Sequence, residues 1–262
     1  MLRRLPLRAG ETTAEPIDPD HIAALIAAEP RPAPPDRPWV AVNMVTSADG
    51  ATTTDAGVSG DLGSDTDMAI FAALRSIADV VLAGSATVTA ERYGPAKVRP
   101  ERREQRRARG QSERPRIAVI SNRGDIDLDL PLFAADDADN RPILLVAAGQ
   151  VDDQRRSVLE SVAEVVEAGE GLVDPSVALR RLGEHTGANV VACEGGPTLN
   201  GLLIAADLID EWCLTLGPSL AGGESHRGSH GPALGRPLSL ELARAWHQDD
   251  ELFLRYVRPG SQ

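Results

Sequence analysis

A chain of 262 residues and 27.8 kDa is long enough for one large domain or two small ones. Its charged and hydrophobic shares, 25% and 42%, are those of an ordinary globular protein. The formal charge of −12, from 27 basic and 39 acidic residues, argues against a general nucleic-acid binder, and aromatics at 3% argue against a stacking platform for single strands.

No apolar run approaches the roughly 18 residues that span a membrane, so no membrane partner is expected. The opening MLRRLPLRAGETT has arginines but no apolar stretch behind them, and it does not read as a secretory signal. Cys193 and Cys213 each lie inside an apolar run; they make neither a disulfide framework nor a zinc ligand set. The expectation is a reduced, cytoplasmic protein with no metal.

Residues 1–38 hold eight of the 19 prolines and read as a surface arm ahead of a single domain, 39–262. Within the arm, Asp18 precedes one helix candidate, 19–29, with an apolar Ile22, Leu25, Ile26 face. WVAVNMVT (39–46) reads as a buried strand. Ser64 then caps a helix over 67–77 with Met68, Phe71, Ala72 and Leu74 facing inward. Runs 79–84, 116–121, 142–148 and 189–194 are continuously apolar, as suits strands covered on both faces. Asp174-Pro175 opens a helix that Gly187 closes. WCLTLGP (212–218) and ELFLRYV (251–257) are later strands. The alternation implies a three-layer α/β fold, a mostly parallel central sheet with helices on both faces. Residues 99–116, with eight arginines against Glu101, Glu104 and Glu113, read either as a solvated loop or short helix, or as a rim that attracts a phosphorylated ligand.

Three polar loops follow strands, at the edge where open α/β sheets bind ligands. In VVACEGGPTLNG (190–201), Gly195 and Gly196 allow close backbone approach, and Pro197 opens a helix whose first N–H groups face an anion. A pyrophosphate cradle and a tight turn without a ligand fit this stretch equally. Ser47 and Asp49 follow the first strand; Gly84, Ser85 and Thr87 follow the second. Neither a dinucleotide GxGxxG nor a P-loop lysine accompanies the glycines. His226 and His230 are four apart, but Gly228 and Gly231 make them a polar loop.

In that order, "TSADG", "LRSIADVVLAGSATV" and "CEGGPTLNGLLIAADLIDEWCLTLGPSLAGG" resemble the pyrimidine reductase family of riboflavin biosynthesis, the C-terminal half of the bifunctional deaminase–reductase, from about Trp39 onward. The resemblance implies a dihydrofolate-reductase-like fold and NADPH-dependent reduction of 5-amino-6-(5-phosphoribosylamino)uracil, ribosyl to ribityl. It places the cofactor along Gly195, Gly196, Pro197, Thr198, Leu199, Asn200, Gly201 and Leu202, with Thr87 and Glu91. Ser121, Asn122 and Arg123 fall at its adenosine end, where a hydroxyl and a guanidinium suit a 2′-phosphate. Ser47, Ser59, Arg75 and Glu194 are the expected substrate contacts.

Glu194 is the first candidate for holding or protonating the substrate and Asp49 the second. The family's lysine in the first strand and its basic residue after Asp-Gly are here Asn43 and Ala51, and its alanine-aspartate-aspartate-proline run is Ala90-Glu91-Arg92-Tyr93. No H-x-E precedes a P-C-x-x-C, so a zinc deaminase half is not expected. Two alternatives stay open, a dihydrofolate or pterin reductase on the same fold and a nucleotide-binding protein without turnover. By analogy a homodimer forms through the late strands.

Overall fold

The computed structural model describes residues 2–4, 16–17, 21–54, 59–60, 62–134, 140–225, 227–248 and 250–260. The apolar runs become strands lying side by side, because each has two faces to cover. In chain order the strands are β1 (Leu2–Arg4), β2 (Pro16–Ile17), β3 (Trp39–Thr46), β4 (Val80–Gly84), β5 (Arg116–Ile120), β6 (Ile143–Ala148), β7 (Glu164–Glu170), β8 (Val190–Cys193), β9 (Glu211–Leu216), β10 (Glu241–Gln248) and β11 (Glu251–Val257). They form one sheet in the order β2-β1-β10-β11-β9-β3-β8-β4-β5-β6-β7. From β9 to β7 every neighbouring pair is parallel; β11, β10, β1 and β2 extend the sheet antiparallel. The α/β class and the mostly parallel sheet are as expected; the antiparallel extension is additional.

The helices are α1 (Ile22–Ala28), α2 (Asp65–Ile77), α3 (Ser85–Ala90), α4 (Pro100–Ala108), α5 (Asp153–Val162), α6 (Pro175–Thr186) and α7 (Pro197–Ala205). Alternate residues of one strand feed opposite cores. Val80, Leu82, Ile143 and Leu145 pack with Leu179 and Leu182 of α6 and Leu199 and Leu203 of α7. Val81, Ala83, Leu144 and Val146 pack with Val88 of α3 and Leu159 of α5 on the other face. Asp174 accepts from the backbone of Ser176 and Val177 to start α6, and Gly187 ends it at φ 68°.

Three expectations need correction. Ser64 does cap α2, accepting from Thr66 and Asp67, but the inward stripe is Ile70, Ala73, Leu74 and Ile77, and Met68 is 54% exposed. Both stripes are apolar, so periodicity leaves the phase open; packing against α1 settles it. The segment before residue 39 is not merely a surface arm, since Ile22 and Ile26 of α1 are fully buried on α2, with Cys213, Trp246 and Phe253 in the same core. Asp18, expected to cap that helix, lies outside the described residues. The arginine-rich stretch contains α4, whose Arg106 is completely buried.

Candidate functional site

Strands β3, β8, β4 and β5 are neighbours and parallel, so their carboxyl ends emerge along one edge. The loops carrying Ser47, Glu194, Thr87 and Ser121 therefore rise from adjacent positions. Gly84 N–H donates to the Gly195 carbonyl at 2.8 Å, which joins the β4 loop to the glycine pair. The Gly195–Gly196 peptide bond is cis, and Gly195 has φ 85°. Gly196 is the N-cap of α7 and brings no side chain to its open N–H groups. A Cβ on Gly196 would stand 2.6 Å from Thr87 Oγ1, so any other residue here must displace the Thr87 side chain.

The expected cofactor stretch divides along the helix. At the opening turn Gly195 is buried, Gly196 and Pro197 are half-buried and Thr198 is exposed, as is Leu202 further along. Leu199, Asn200 and Gly201, also expected along the cofactor, are buried. Leu199 belongs to the core. Asn200 is buried and donates to the Gly228 carbonyl at 2.8 Å and to Met44 Sδ at 3.2 Å. Gly201 is small because a side chain would collide with the His230 carbonyl.

Glu194 and Arg75, both expected to reach substrate, are bound to each other. Arg75 Nε and Nη2 donate to the two Glu194 oxygens at 2.6 and 2.7 Å, a bidentate pair. Tyr93 Oη adds a third bond to Glu194 at 2.6 Å. The Arg75 guanidinium lies 4.3 Å from the Phe71 ring centroid and 5.6 Å from that of Tyr93. Burial pulls the Arg75 pKa down, but the bonds and charge of Glu194 outweigh it and the net shift is upward. Burial and then the charge of Glu194 push the Tyr93 hydroxyl well above 10. Three donated hydrogen bonds thus fix the Glu194 carboxyl in place as an acceptor. Tyr93 is the contributor that sequence reasoning missed; its signal was an aromatic where the resembled motif has proline.

Asp49, the second candidate acid, is engaged as an acceptor as well. It accepts from Ser47 Oγ and from the backbone N–H of Ala221 and Gly222, and these bonds hold it at about 2. Ser47, fully buried, is spent on Asp49 and on the Ala51 N–H. Ser59 and Glu91 meet, with the Ser59 N–H and Oγ donating to Glu91 at 3.1 and 3.2 Å. At the end of β5, Ser121 is buried and Asn122 Oδ1 accepts from the Val173 N–H. Arg123 is exposed, and among the described residues it has no ion-pair partner.

Residues 217–225 and 227–230 run along this edge as a strap. Asp49 holds it at 221 and 222, and Ser225 Oγ accepts from the N–H groups of Thr52 and Thr53. Gly228 is held by Asn200, and the His230 N–H donates to the Pro197 carbonyl at 2.8 Å. His226, the other histidine of the spaced pair, lies outside the described residues.

An open, mostly parallel sheet with polar loops gathered at the carboxyl ends of four adjacent strands defines an α/β protein of the kind that, as a class, binds ligands along that edge. The chain belongs to the RibD C-terminal domain family, whose profile matches residues 38–254. It is 29% identical over 187 residues to a 2,5-diamino-6-ribosylamino-4(3H)-pyrimidinone 5′-phosphate reductase of Archaeoglobus fulgidus, covering 71% of this chain and 83% of that one. Its similarity to the protein of the same name in Methanothermobacter thermautotrophicus is 26% over 228 residues, covering 86% and 100%. A pyrimidine reductase-like protein of Corynebacterium diphtheriae shares the fold at a TM-score of 0.78 and 23% identity, over 92% of this chain and 98% of that one. RibD of Acinetobacter baumannii does so at 0.68 and 19%, with 85% of this chain matching 58% of that one.

Proposed function

We propose that this protein is an NADPH-dependent reductase that converts the ribosyl group of a phosphoribosylamino-pyrimidine to ribityl. The observation that carries this reading is the Gly196–Thr87 approach at the uncapped start of α7, beside the Arg75–Glu194 pair, in a chain of this family. Bound NADPH supplies the hydride. The backbone N–H groups at the start of α7 and Thr87 would hold its phosphates, and Arg123 is the exposed cation for a 2′-phosphate. Glu194, held by three donors, accepts hydrogen bonds from the substrate's hydroxyls and orients them. The strap closes over the same edge and limits water.

The archaeal relatives are named for the 2,5-diamino pyrimidinone, which supports that ring over the uracil as the substrate. This sequence lacks the zinc deaminase motif, so the proposal covers reduction alone. A pterin substrate is the second reading, favoured by one observation. Asn43 and Ala51 bring no cation, and Arg75 is engaged by Glu194. We further infer a homodimer formed on the half-buried face of β9 and β11.

The test is NADPH oxidation by the purified protein with the diamino phosphoribosyl compound, its deaminated uracil counterpart and dihydrofolate in parallel. Turnover that requires a phosphoribosyl substrate is expected. Turnover with dihydrofolate alone transfers the assignment to the pterin reading. Cofactor binding without oxidation of NADPH by any of the three refutes the reductase.

A further inference from the structure

The arginine-rich segment has no place in the site just described, yet its contacts lead directly to it. An α-helix leaves its last carbonyl groups without internal partners. In α2 the Leu74 carbonyl accepts from the Ala78 N–H. The carbonyls that follow are taken by side chains of α4 and its C-terminal loop. Arg106 Nη1 donates to Ala78 at 2.5 Å, to Ser76 at 3.1 Å and to Arg75 at 3.4 Å. Arg109 Nη2 donates to Ser76 at 2.8 Å, and Gln111 Nε2 to Ile77 at 2.9 Å. Gln111 also reaches Asp79, and Arg106 Nε is anchored on the Ser112 carbonyl. Two guanidinium charges therefore sit at the negative end of the α2 dipole. Burial lowers the Arg106 pKa to about 10, which leaves it charged at neutral pH.

Arg75 stands in the last turn of α2, so its backbone carbonyl is under this clamp while its side chain runs to Glu194. We propose that Arg106, with Arg109 and Gln111, positions the Arg75–Glu194 pair by fixing the end of α2. These three are positioning residues, and their effect on a substrate rests on the reductase reading above. Releasing the carbonyls lets the last turn fray, and the Arg75 Cα moves away from the carboxyl end of β8.

The Arg75 Nε–H reports on this directly. In 15N-labelled protein its resonance is identified by its loss in Arg75→Lys, and its exchange with water is measured at neutral pH. Arg109→Ala combined with Gln111→Ala removes donors from the more accessible part of the clamp. The expected result is exchange faster by about tenfold, with Arg106→Leu faster still where it folds. Ser64→Ala, which loosens the opposite end of the same helix, is expected to leave exchange unchanged. Unchanged exchange in the folded double variant overturns the proposal. So does an equal acceleration in Ser64→Ala, because the effect is then general loosening. Faster exchange with no rise in KM for the pyrimidine leaves the clamp standing and removes Glu194 from substrate binding.

Discussion

At the scale of single residues, side chains named for one partner are spent on another. Arg75 and Glu194 stand out in the sequence as substrate contacts, one in a helix and one at a strand end. Nothing in a linear pattern shows that they meet, because 119 positions separate them. Asp49 likewise reads as an acid, yet three donors converge on it and make it an anchor. Gly196 is different, since the glycine pair itself signals a close approach, even though the neighbour it makes room for, Thr87, is distant in sequence. Replacing it with valine drives Cβ into Thr87 Oγ1. We expect NADPH to bind at least about tenfold more weakly, roughly 1.4 kcal/mol, by fluorescence titration. Adding Thr87→Ala should recover part of the loss, and unchanged affinity in a folded Gly196→Val protein removes the cradle.

At the scale of elements, what is written locally was readable and what is decided by a neighbour was not. Asp174 and Gly187 bracket α6 by their own chemistry. The five continuous apolar runs were readable for the same reason. The outer strand β7 escaped notice because Glu164, Glu167 and Glu170 break up its apolar residues. The segment leading to β3 was misjudged because prolines surround a helix whose partner is distant in sequence. Its fastening is ionic as well as apolar. Glu211, fully buried, accepts from Arg31 at 2.8 Å, from Arg255 at 3.2 Å and from Trp39 Nε1 at 3.1 Å. Burial alone would raise its pKa, but Arg31 and Arg255 prevail and hold it at about 2, against an ordinary 4.5. A carboxyl lowered in the folded state stabilises the protein above pH 4.5, and that contribution disappears as pH falls toward 2. Acid unfolding followed by circular dichroism should therefore show a loss of stability within that window. In Glu211→Gln the loss within it should be smaller, from a protein already weaker at neutral pH by about 3 kcal/mol, since two buried guanidiniums lose the more buried of their two carboxylate partners and keep Glu29.

At the scale of the whole molecule, the central parallel strands were legible, and β11 was legible as a strand, but its antiparallel pairing and the strands β10, β1 and β2 beyond it were not. Continuous hydrophobicity marks strands covered on both faces, whereas β9 and β11 alternate. Their second face carries half-buried Leu214, Leu216, Leu252, Leu254 and Tyr256. Such a face suits an isologous contact with a second copy. Light scattering on a size-exclusion column should give twice 27.8 kDa, and Leu254→Arg should return a monomer. A wild-type monomer at micromolar concentration rejects the dimer. The strap carries a different consequence. It is stitched to the loop after β3 on one side and to the start of α7 on the other, so one length of chain ties both rims of the cleft. A single proteolytic nick after exposed Arg227 would leave the β9–β11 ladder and every core intact. What it would abolish is the covalent thread between the rims, leaving 221 and 222 moored to Asp49 and 228 and 230 moored to α7 with no chain joining them.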